Sequence, residues 1–205
     1  MRRLHLVRPD PGESPRLNEA LEDREDEDLM LLVRAGSREA MAVLATRHID
    51  RLTSFCTKLT GDPAAAEDIV QEALLRVWTR RADWRPRGRF VALLFVTARN
   101  LCRNRARDVR RRARWVGPEP HDEAEPLSTP ADVDPMITEE RFRDALRALG
   151  ELPEAMREAV ILRFDSELSY DAIGAIVGAT ESTVRSRVHY GLLKMRTLLG
   201  APEKR

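Results

Sequence analysis

Residue types able to do chemistry fall in three places along this chain of 205 residues. Between residues 85 and 115 there are eleven arginines, no lysine and one acid, Asp108, a local charge of +10. Like charges at i, i+4 repel on a helix, so this density suits a polyanionic partner, although a solvated arginine face is the plainer reading of a charge run. Asn100 and Asn104 lie four residues apart within it and share a face if the stretch is helical. Near the C-terminus, Thr183, Arg185, Ser186 and Arg187 are types that fork onto guanine or phosphate, or donate to backbone oxygens. The third place is acidic: Glu67, Asp68, Gln71 and Glu72 share a span with no base in it. It reads either as a docking face or as a solvated one.

Catalysis is not expected, and no catalytic residue is assigned. The chain offers no carboxylate cluster, no nucleophile beside a base and no glycine-rich phosphate loop. Cys56 and Cys102 are the only cysteines, and the four histidines (His5, His48, His121, His189) are scattered, so neither a metal, a cofactor nor a disulfide framework is expected. The thiols read as buried and free. The longest charge-free runs, 90–98 and 172–180, have nine residues. A spanning helix needs about 20 apolar residues, so no membrane insertion is expected. The basic start meets Arg8 and Pro9 too soon for the apolar stretch of a signal peptide, so a cytoplasmic location is expected.

The elements that would position these groups are all helical. Residues 1–28, with five bases against nine acids and three prolines, read as a disordered acidic tail. A helix from about Asp28 ends at Gly36. Ser37 can cap a second, with Met41, Leu44, His48, Leu52, Phe55 and Leu59 on its buried face. After Gly61, Asp62 is placed to cap a third helix opening at Pro63, with Ile69, Val70, Ala73, Leu74 and Val77 inward and the acidic group outward. A polar loop holding Trp84 then precedes a long helix from Phe90, apolar at first and cationic towards its end.

Residues 116–137 are rich in proline, with six acids and no base, which predicts an extended linker. If flexible it would span about 26 Å, from ~5.5 Å × √22. Beyond it, four helices are expected: Glu139 to Leu149 closed by Gly150, Pro153 to Phe164, Ser169 to Val177, and Glu181 to Leu198. The last two form a helix-turn-helix, with Gly174 at the crossing, Gly178 in the turn, and Val184 and Val188 packing the second helix on the first. The fold class is therefore all-α: two small helical domains joined by an acidic linker. The formal net charge of +1 hides segments of −4 (1–28), +11 (29–115), −6 (116–137) and zero (138–205).

DIVQEALLRVW with FVALLFVTARN resembles sigma region 2, and LPEAMREAVILRF with LSYDAIGAIVGATESTVRSRV resembles sigma region 4, of the extracytoplasmic-function bacterial sigma factors. The resemblance covers residues 29–114 and 138–198. It implies a region 2 domain over 29–115, a region 4 domain over 138–200, and a function in recruiting core RNA polymerase to promoters. It further implies that Asp68, Gln71 and Glu72 dock on the polymerase clamp, and that Trp84, Arg99, Asn100, Arg103, Asn104 and Arg107 bind and melt the minus-ten element. Thr183, Arg185, Ser186 and Arg187 then read the minus-thirty-five duplex. With no sensor in the chain, an anti-sigma partner is expected; a small-molecule substrate is not. The chain departs from the family pattern at Leu93-Leu94, where a Trp-Leu pair is usual, at Arg103, usually apolar, and at Ser182, usually glycine. The rival reading is a stand-alone helix-turn-helix regulator that binds DNA tightly without polymerase. A domain of zero net charge argues against it.

Overall fold

The computed structural model describes residues 21–85, 89–116 and 135–200. Residues 1–20 of the expected tail, the loop at 86–88 and linker residues 117–134 lie outside them. The described residues form eight α-helices: α1 (Asp26–Ala35), α2 (Arg38–Thr60), α3 (Pro63–Thr79), α4 (Phe90–Val116), α5 (Pro135–Gly150), α6 (Glu154–Phe164), α7 (Tyr170–Val177) and α8 (Glu181–Leu198). A 3-10 turn, Arg81–Asp83, joins α3 to the segment before α4.

Local chemistry sets the helix ends. Gly36 closes α1 in the left-handed region at φ 105°, and the Ser37 hydroxyl accepts from the Ala40 amide at 3.1 Å to open α2. Asp62 accepts from the Ala65 amide at 3.0 Å, with Pro63 as the first residue of α3. That amide, then Arg105, holds the Asp62 carboxyl below the usual carboxylate range.

Two expectations are corrected. Residues 21–28 do not belong to a disordered tail: Leu21 is buried, Asp26 to Asp28 form the first turn of α1, and Asp26 pairs with Arg47 and His48 of α2. Burial alone would raise the Asp26 pKa, but the hydrogen bond and charge of His48, then those of Arg47, outweigh it and lower the value. The acid-rich composition is thus answered by partners over 20 residues away. Secondly, α5 begins at Pro135 rather than Glu139 and runs through Gly150 instead of being closed by it. Proline needs no amide partner in a first turn, and Gly150 does not take positive φ.

In the first domain α2, α3 and α4 pack around Leu44, Leu52, Phe55, Ile69, Ala73 and Phe95, with the Phe55 and Phe95 rings edge to face at 5.3 Å. In the second, α5, α6 and α7 pack on α8 through Leu152, Val160, Ile161, Ile173, Val184 and Val188. The domains also meet each other, α4 against α7 and α2 against α6, so that one apolar cluster runs through both.

Gly174 and Gly191 both lie at close crossings, yet they differ. A Cβ at Gly174 would stand 2.6 Å from the Ala179 carbonyl oxygen, whereas at Gly191 it would stand 2.8 Å from a Val160 methyl, the end of a side chain. Gly174→Ala is therefore expected to destabilise the second domain by about 1 to 3 kcal/mol. Gly191→Ala is expected to cost less, because a methyl can yield and backbone cannot. Urea unfolding of both variants checks the order.

Candidate nucleic-acid interface

Helix α4 carries the candidate strand-reading residues. Its apolar first half is anchored by Phe90, Leu94, Phe95 and Ala98, all fully buried. That anchor fixes the rotation of the cationic half. Asn100, Asn104 and Arg107 are exposed, and the two amides share a face as expected from their spacing. Arg99 and Arg103 face the second domain instead. The Arg99 Nε lies 3.0 Å from Glu158 Oε1, a charge contact rather than a directed hydrogen bond, and its Nη1 donates to the Ile176 carbonyl at 3.5 Å. Arg103 donates from Nε and Nη2 to the two Glu158 oxygens at 3.1 and 3.3 Å, and its Nε also lies 2.7 Å from Glu154. Glu158 is 1% exposed.

Trp84 needs a correction. Its ring is 6% exposed and belongs to the core of the first domain, so it cannot stack on a base without leaving that core. An aromatic in a polar loop reads equally well as a base platform or a core plug. Packing decides for the plug.

The acidic face is open. Asp68 and Gln71 are exposed on α3, while Glu72 is half-exposed and pairs with Arg76 at 2.7 Å. In the helix-turn-helix, Gly178 takes the left-handed conformation at φ 69° and Thr180 caps α8 by accepting from the Thr183 amide. Thr183, Arg185 and Ser186 are exposed and Arg187 is half-buried at the start of α8. Arg185 is held by Glu181 and stacks over Tyr170 with 4.4 Å to the ring centroid.

The sequence reading missed Glu154, Glu158, Asp165 and Asp171, which meet basic residues of the first domain. Asp165 accepts from Lys58 and from Ser54 at 3.0 Å, and Asp171 pairs with Arg89 at 3.3 Å. One signal was available. Glu158 stands directly before Ala159, Val160, Ile161 and Leu162, all buried, and a carboxylate in such a run needs a cation. Among the described residues no group of side chains is placed to hold a metal. The Cys56 thiol is pushed up by its hydrogen bond to Cys102 and then by burial, which keeps it protonated.

The Sigma-70 region 2 family matches residues 44–112 and the Sigma-70, region 4 family residues 148–197. The RNA polymerase sigma factor CarQ of Myxococcus xanthus is 34% identical over 171 residues, 83% of this chain and 95% of its own. The ECF RNA polymerase sigma factor SigL of Mycobacterium tuberculosis is 34% identical over 167 residues, 80% and 92% of the two chains. Among solved structures, the sigma factor RpoE of Bartonella quintana, crystallised with the anti-sigma factor NepR, has a TM-score of 0.64 at 26% identity, covering 78% of this chain and 96% of that one. CnrH, solved with the cytosolic domain of CnrY, shares the fold at a TM-score of 0.65 and 22% identity, covering 87% of this chain and 99% of that one.

Arg99 and its neighbour Asn100 are expected to differ sharply in their effect on stability. Arg99→Ala leaves the Glu158 carboxylate with Arg103 alone and should cost about 1 to 3 kcal/mol, less than leaving the charge with no partner. Asn100→Ala, at an exposed position, should stay within about 0.5 kcal/mol. Urea unfolding measures both.

Proposed function

The chain belongs to the extracytoplasmic-function sigma factors, which direct core RNA polymerase to promoters, and from that premise we propose how its residues divide the work. The first domain, 29–115, docks on polymerase through Asp68, Gln71 and Glu72 and opens the minus-ten element with α4. Asn100 and Asn104 read the unstacked strand, and Arg99, Arg103 and Arg107 hold its phosphates. The second domain, 138–200, lays the start of α8 in the minus-thirty-five major groove, with Thr183, Arg185, Ser186 and Arg187 at the bases and backbone. The linker between α4 and α5, residues 117–134, carries a charge of −6 and would lie where transcript later passes. Trp84 is left out of this assignment because it is buried.

The observation that carries the assignment is the placement of exposed amides four residues apart on a helix whose other half is locked into the core. A reading surface must be held still to discriminate bases, and α4 is held by four fully buried side chains. The protein acts as a stoichiometric specificity subunit without catalysis of its own. No helix among the described residues is long and apolar enough to cross a membrane, and the site of action is the cytoplasm. Regulation falls to an anti-sigma protein that covers the Gln71 face. This is supported by one structural neighbour, the sigma factor RpoE of Bartonella quintana, which was solved with the anti-sigma factor NepR.

Replacing both Asp68 and Gln71 by Ala should weaken binding to core polymerase with the circular dichroism unchanged; unaltered affinity would remove these residues from the docking face. In transcription with core polymerase, Asn100→Ala should be largely rescued by a template pre-melted at the minus-ten. Arg187→Ala should lose about 1 to 3 kcal/mol of closed-complex affinity if it makes a bidentate base contact, and the bubble should rescue it less. Permanganate footprinting separates the two defects, and equal rescue would contradict the assignment of helices.

A further inference from the structure

The two cysteines have no part in the function proposed above, yet they meet. Cys56 on α2 and Cys102 on α4 are buried in the cluster that holds those helices together, and the Cys56 thiol hydrogen-bonds Cys102. Leu59, one turn after Cys56, lines the same cleft of about 300 Å³ as Cys102, so the paired sulfurs lie beside that cleft. We propose that Cys102 and Cys56 are a dithiol oxidised by hydroperoxides to a disulfide between α2 and α4, and that this bond displaces Asn100 and Asn104 from the melted strand. The second half rests on the reading that those amides meet that strand.

Burial gives the two sulfurs different parts. Cys102 is 5% exposed and lines the cleft, whereas Cys56 is 0% exposed and does not. The attacking sulfur is therefore Cys102. Cys56, whose thiol keeps its proton, is the resolving one. Around the cleft stand four arginines, Arg103, Arg107, Arg110 and Arg157, against two acids, Glu154 and Glu158. Reactive cysteines occupy such electropositive, partly open surroundings, and guanidinium charge steadies the hydroxide that a peroxide releases.

The atoms balance with hydrogen peroxide as oxidant. The Cys102 sulfur attacks one peroxide oxygen, an S–O bond forms as the O–O bond breaks, and the departing hydroxide leaves with the Cys102 proton as water. The Cys56 sulfur then attacks the sulfenic acid. An S–S bond forms as the S–O bond breaks, and the second hydroxide leaves with the Cys56 proton as water. The two thiols together lose two electrons, and one peroxide becomes two waters.

The new bond acts at the reading face. Bonded sulfurs stand about 2 Å apart, well inside hydrogen-bonding distance, so closure draws α4 toward α2 at Cys102. Asn100 and Asn104 lie two residues to either side of it. Asp68 and Gln71 are carried by α3, which the bond does not join.

The test treats the reduced full chain with hydrogen peroxide, removes the peroxide, maps the thiols by mass spectrometry and assays the product with core polymerase. The expected map is a Cys56–Cys102 linkage within one chain. Cys56→Ala should stop at a Cys102 sulfenic acid trapped by dimedone, and Cys102→Ala should give no adduct. The disulfide form should bind polymerase normally but open the minus-ten about tenfold less, the scale of one lost base contact, and dithiothreitol should restore it. Thiols left intact in the folded wild-type chain, at a peroxide excess that oxidises it in urea, would overturn the proposal, as would linkage between chains. A dimedone adduct on Cys56 in the Cys102→Ala chain would overturn the order of attack. A disulfide that leaves opening unchanged, while Asn100→Ala still impairs it, would overturn the coupling and leave the strand assignment standing. Asn100→Ala without effect would instead overturn that assignment, whatever the thiols do.

Discussion

A carboxylate removed almost completely from water imposes a requirement on everything around it. Glu158 is 1% exposed on a helix whose next four residues are all buried. An unpaired charge there would cost several kcal/mol, and α6 itself supplies no cation to the site. The cations come from α4 of the other domain, Arg103 by a two-pronged hydrogen bond and Arg99 by charge. The burial of one side chain in the second domain thus depends on the packing of the two domains. Conversely, the rotation of α4 that brings Arg99 and Arg103 to Glu158 is set by Leu94, Phe95 and Ala98 in the first core.

The same helix then serves two faces. Its arginine-rich half would be strongly self-repelling in isolation, and the closed chain answers only part of that charge. Arg105 pairs with Asp62, Arg111 with Asp108, and Arg99 and Arg103 with the acids of α6. Arg107 and Arg110 remain exposed beside them. On the proposed assignment, the helix carries its specificity in amides that never need neutralising and its affinity in arginines that do. In a sigma factor these are separable tasks: recognising bases and holding a melted backbone.

Local features were legible in the sequence because their cause lies within a few residues. Ser37 and Asp62 cap helices through amides three positions on, and Gly178 turns the chain where any side chain would be strained. The inward face of α3 and the boundaries of α8 follow from period alone. Trp84 was misplaced because its surroundings, not its neighbours in sequence, decide whether an indole plugs a core or meets a base. Asp26 and Leu21 were placed in a tail because composition does not reveal that Arg47 and His48 await them. The Glu158 contact was invisible for the same reason: its arginines lie 55 residues and more away, and only the packing of one domain on the other brings them together.

The central claim is that α4 exchanges the acids of the second domain for promoter DNA when the chain joins polymerase. Energy transfer between dyes at exposed Asp50 on the first domain and exposed Arg196 on the second, each introduced through a cysteine, follows that exchange directly. The account predicts high transfer in the free protein and a clear fall on binding core polymerase, with low transfer kept when promoter DNA is added. The same transfer efficiency in the free chain, the polymerase complex and the open promoter complex would contradict it.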